Sequence, residues 1–105
     1  MSRSSAASIT LGVANYNHAI FTPATGNTVN VIKNSYNIIN PSGTLVALTI
    51  NMAVSPNNND LMYIKFTQAI TTLSFTGGTV QSALNTIALG GLMVLVYDSG
   101  TSIWY

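Results

Sequence analysis

Cysteine is absent from the chain, which excludes a disulfide framework and any thiolate metal site. Charge is nearly absent too. Charged residues make up 5% of the composition, where roughly 25% is usual. The only acids are Asp60 and Asp98, the only bases Arg3, Lys33 and Lys65, and His18 is the only histidine. Without cysteine, such residues make no ligand set for a transition metal. They also supply no clustered basic footprint for nucleic acid. No run of about 18 apolar residues exists, so no membrane-spanning helix is expected. The opening "MSRSSAASITLGV" has no apolar core of signal-peptide length.

What the chain has is apolar content of 48%, with Asn, Thr and Ser as the polar complement. That combination disfavours intrinsic disorder, which needs high charge and few aromatics. A chain of 105 residues suffices for one domain. A surface with so little charge is also poorly protected against self-association, so coverage by other subunits is expected.

Turn signals recur at short intervals: Gly26-Asn27, Pro41-Ser42-Gly43, the run from Ser55 to Asp60, Gly77-Gly78, Gly90-Gly91 and Asp98-Ser99-Gly100. Between them lie short stretches rich in Val, Ile, Thr, Leu and Tyr. Regular short strands with this punctuation predict an all-β fold. The expected form is a small antiparallel β-sandwich of jelly-roll-like type, closing with a C-terminal hairpin. In "TLVALTINM", alternation places Val46, Leu48, Ile50 and Met52 on one face. In "LMYIKF" it groups Met62, Ile64 and Phe66, and in "ITTLSF" it groups Leu73 and Phe75. The segment "LMVLVY" is apolar on both faces, with Leu92, Val94 and Val96 opposite Met93, Leu95 and Tyr97. A strand apolar on both faces is buried on both, by a covering loop or by a neighbouring subunit.

No tandem repeat is evident. Residues 1–8 are Ser- and Ala-rich and are expected to form a flexible arm on a single β domain spanning residues 9–105. "TVQSALNTIAL" fits a short strand followed by a loop, or one helical turn over residues 82–85. His18 has no nucleophile or ligand partner in its pattern, and Asp60 and Asp98 both sit in turn signals, where a carboxylate accepts backbone N–H bonds. The glycine pairs do not form a phosphate-cradling loop. No catalytic, cofactor-binding or metal residue is therefore assigned, and no cofactor is expected. Trp104 is expected to be packed in the fold, with sugar stacking as the alternative.

"SPNNNDLMYIKFTQAITTLSFTGGTV" followed by "GGLMVLVYDSGTSIWY" resembles a β-rich module of bacteriophage structural proteins, found in tail fibres and in small capsid decoration or head-fibre proteins. That module shows a Pro-x-x-Gly-Asp turn, an alternating strand, a Gly-rich turn and a closing hairpin of the form V-x-L-V-Y-D-G…W-Y. Pro56 and Asp60 fit the first part, although Asn57-Asn58-Asn59 stands where a Gly is usual. Gly91 to Tyr105 fits the closing part closely, and "YNIINPSGTLVALTINM" resembles the preceding strand. The resemblance covers residues 35–105.

It implies a virion structural protein that assembles as a homotrimer, with the final hairpin part of the fold. The expected function is capsid decoration (cement) or head fibre, without enzymatic activity. The expected partners are other copies of the chain and a major capsid or other virion protein, with no nucleic acid and no membrane. The alternative is a receptor-binding tail-fibre module that recognises a host-surface glycan. Leu92, Met93, Val94, Leu95, Val96, Tyr97 and Trp104 are the candidate interface or core. Ser2, Arg3, Ser4 and Ser5 are the candidate capsid-docking arm.

Overall fold

A computed structural model describes residues 17–105. All regular structure among the described residues is β. The strands are β1 (Asn17–Phe21), β2 (Thr28–Asn30), β3 (Ser35–Ile39), β4 (Leu45–Asn51), β5 (Leu61–Phe66), β6 (Ile70–Thr76), β7 (Thr79–Val80), β8 (Leu92–Asp98) and β9 (Ile103–Trp104). They form a six-stranded sheet in the order β1-β3-β5-β8-β9-β7 and a three-stranded sheet in the order β2-β4-β6.

From β1 to β6 the strands enter the first and second sheets alternately, so the chain winds through three successive turns of a coil. β1, β3 and β5 pair in parallel, as do β2, β4 and β6. The arrangement is β-solenoid-like. It departs from the antiparallel jelly-roll expectation because period-two alternation marks a half-buried strand without saying which neighbour it pairs with. A parallel return needs a crossover, and here each crossover is itself a strand of the opposite sheet. Only the C-terminal part reverses direction. β8 runs antiparallel to β5, and β9 antiparallel to β8 as the closing hairpin.

Stacked turns place like residues in columns. Phe21, Ile39 and Phe66 align in one sheet, and Val29, Ile50 and Phe75 in the other. Ile39, Ile50 and Phe66 are fully buried, and full burial of one such side chain stabilises by about 1.5–3 kcal/mol. One alternation is broken. Leu45 is buried while Val46 is 67% exposed, because the strand takes a three-residue step from Leu45 to Leu48. β6 takes the same step from Ile70 to Leu73, and Leu45 pairs with Ile70 and Leu48 with Leu73. Val46 therefore does not share the face of Leu48, Ile50 and Met52.

The stretch after β7 forms no helical turn. Ile87 bridges Ile70 instead, and the Leu73 N–H donates to the Asn85 carbonyl. These contacts cover part of the free edge of β6.

Inside the second turn, Asn37 is fully buried. Its Oδ1 accepts the Ile32 N–H at 2.8 Å, and its Nδ2 donates to the Ile32 and Tyr63 carbonyls at 2.9 and 3.1 Å. A side-chain amide thus does what a backbone partner does elsewhere, satisfying the loop between β2 and β3.

Candidate functional site

β8 is where the two-faced apolar strand resolves into two roles. Met93 and Leu95 point into the core, and Tyr97 is half-buried against it. Leu92, Val94 and Val96 point outward and remain 47%, 47% and 40% exposed. The candidate set thus divides between packing and surface. Trp104, 1% exposed, joins the packing group, its ring tilted against Tyr97 at a centroid distance of 5.1 Å. Its burial leaves no face for a sugar to stack on.

The outward row continues across the sheet. Val96 lies opposite Leu61, Val94 opposite Tyr63 and Leu92 opposite Lys65. Tyr63 pairs in turn with Tyr36, and their rings stack at 5.6 Å with planes 19° apart. Ile20 on β1 and Ile38 on β3 extend the same face, paired in register. The terminal Tyr105 exchanges both backbone hydrogen bonds with Val96, which puts its side chain on this face too. Lys65 is turned to the rim, where its Nζ donates to the Gly90 carbonyl at 2.8 Å. Four strands at the usual spacing and rise make a face of roughly 400 Å2. The largest apolar patch on a monomer is commonly of this order and is often functional.

The few ionisable groups are used locally. Asp60 sits in the turn before β5, and its Oδ2 accepts the Asn57 N–H at 2.7 Å. Its Oδ1 accepts Asn34 Nδ2 at 3.1 Å, and Lys33 Nζ lies 3.3 Å from Oδ2. Asn34 also takes the Leu61 N–H on its Oδ1 and donates its own N–H to the Leu61 carbonyl. The node therefore ties the turn before β3 to the turn before β5. The Asn57 N–H, first of all, holds the Asp60 carboxyl below its ordinary range, with burial opposing and Asn34 and Lys33 adding to the effect. Asp98 takes the Thr101 N–H and hydroxyl on its Oδ2 at 3.0 and 2.7 Å, stabilising the hairpin turn. His18 lies exposed on β1. Among the described residues no group of three or more His, Cys, Asp or Glu side chains is placed to hold a metal.

Ser2, Arg3, Ser4 and Ser5 lie outside the described residues. Sequence reasoning missed Asn34 and Asn37, since Asn in a turn-rich chain is read as turn chemistry. It also missed the part played by Tyr105 in the outward face. The signal for that was present: Tyr105 alternates with the buried Trp104. No protein-family model matches the chain, and no curated protein matches it.

Proposed function

We propose that the chain is a non-enzymatic structural protein of a bacteriophage virion, a capsid decoration or head-fibre protein that works as a homotrimer. The apolar outward face of β8, with Tyr105 beside it and Ile20 on the same sheet face at β1, carries the proposal. A face of this kind becomes stable in water when copies cover it, at about 25 cal/mol per Å2 of apolar surface removed from solvent. Three copies related by a closed rotation each present two different patches and leave no open end. A symmetric assembly then multiplies weak contacts with a shell through avidity. With 5% charged residues, those contacts are neutral hydrogen bonds and apolar packing, which depend little on salt. The resemblance of residues 35–105 to phage β-modules supplies the location, on the virion surface, and the partner, a major capsid or other virion protein.

The stacked pair Tyr36 and Tyr63 favours a second reading, a tail-fibre module whose aromatic face recognises a host-surface glycan.

Two measurements test the first reading. Sedimentation velocity on the wild type and on Val94→Glu is expected to give an oligomer and a folded monomer respectively. Cosedimentation with undecorated shells is expected to saturate and to change little between low and high salt. A monomeric wild type that ignores shells but binds host polysaccharide saturably would establish the glycan reading in its place.

A further inference from the structure

The outward face of the six-stranded sheet holds two tyrosines in a fixed relation. Tyr36 on β3 and Tyr63 on β5 are in-register partners on parallel strands. Such strands lie about 4.8 Å apart. Both side chains are half-buried. Their ring centroids are 5.6 Å apart and their planes 19° from parallel, an offset stack of the kind aromatic rings prefer. Rotation about χ2, a torsion with a broad profile in Tyr, moves the ortho carbons of one ring against those of the other.

The surroundings single this pair out. Val94 flanks Tyr63 on the side away from Tyr36 and has no oxidisable group. His18 flanks Tyr36 on β1. Tyr105 bonds to Val96 beyond β8, two strand spacings or roughly 9.6 Å from β5. Tyr97 packs against Trp104 and the core. Trp104, Met52, Met62 and Met93 are buried, and the chain has no cysteine to be oxidised first.

We propose that Tyr36 and Tyr63 form an oxidative cross-linking site, closed as dityrosine by a one-electron oxidant. Each phenol gives up one electron and its hydroxyl proton. The phenoxyl radicals so formed share their unpaired spin with the ortho carbons, and a carbon–carbon bond joins one ortho carbon of each ring. Each ring then loses its ortho hydrogen as a proton while its oxygen regains one, which restores both phenols. Overall the chain loses two electrons to the oxidant and two protons to solvent, and no other group leaves. The product staples the second turn of the coil to the third, a covalent tie that a chain without cysteine cannot make by disulfide. The inference goes beyond the virion reading and does not depend on it.

The test uses the full-length protein, illuminated briefly with tris(bipyridyl)ruthenium and with persulfate as the final electron acceptor. Asp60 and Asp98 are the only acids, so cleavage before aspartate separates residues 1–59, which carry Tyr36, from residues 60–97, which carry Tyr63. These two fragments are expected to emerge joined, two hydrogens lighter than their sum and with dityrosine fluorescence. The cross-linked protein is expected to run as a monomer on a denaturing gel, in a yield independent of protein concentration. Tyr36→Phe and Tyr63→Phe keep a ring in the stack and remove the phenol. Each is expected to lower the yield at least tenfold, as is unfolding in urea before illumination. Dityrosine that joins two chains, a yield unchanged in both Phe variants, or a Tyr36–His18 adduct in place of dityrosine would overturn the proposal. A folded chain that forms no dityrosine would overturn it as well.

Discussion

Replacing Asn37 with Ala removes an amide that holds one loop residue at both its backbone groups. The Ile32 N–H and C=O lose partners at 2.8 and 2.9 Å. A buried group left without a partner costs about 1–3 kcal/mol. Ile32 itself is 48% exposed, so water reaches part of the vacated site and the lower half of that range applies to each group. The expected loss is about 2–4 kcal/mol, against a total of about 5–15 kcal/mol for a domain of this size. Urea unfolding followed by tryptophan fluorescence measures it, because Trp104 reports from the core. The midpoint is expected to fall with the slope unchanged. Asn37→Asp is expected not to rescue at neutral pH, since a carboxylate accepts the Ile32 N–H but cannot donate to its carbonyl. A loss below about 0.5 kcal/mol in Asn37→Ala would show that water replaces the amide, and the latch role would be refuted.

Trp104→Ala is expected to cost about 3–5 kcal/mol as a fall in Tm by calorimetry, because the ring is fully enclosed; an unchanged Tm would remove it from the core. The Asp60 carboxyl, held below the ordinary value of 3.8, stabilises the fold fully above that value and loses its contribution as pH falls through the lowered one. Wild type is therefore expected to lose more stability than Asp60→Asn between neutral pH and about pH 2. Parallel pH profiles of Tm for the two proteins would assign the acid sensitivity elsewhere.

The strands were legible because a half-buried strand writes its period into the chain, as Met62, Ile64 and Phe66 do. Their partners were not, since a parallel and an antiparallel neighbour leave the same alternation. The coil's repeat was hidden by unequal spacing: Ser35 follows Asn17 by 18 residues, whereas Tyr63 follows Tyr36 by 27. Val46 misled because the step from Leu45 to Leu48 is set by stacking on Ile70 and Leu73, a tertiary constraint with no local signature. Of the candidate surface, the outward row of Leu92, Val94 and Val96 could be read from the doubly apolar strand. That Met93, Leu95 and Trp104 pack inward required knowing which side the core lies on.

The reversal at β8 has a consequence for growth. A stack of parallel rungs propagates only if each unit offers a bare parallel edge at both ends, as in cross-β fibrils. Here the third turn is terminated: β8 runs antiparallel along β5, and Ile87 sits on β6 at Ile70. At the β1–β2 end no described strand covers the edge. Stacking of further parallel rungs is therefore blocked where β8 and Ile87 lie, on β5 and on part of β6. The chain is accordingly expected not to seed a fibre through its β8 end, and a change at the β1–β2 end is expected to leave the terminating strand untouched.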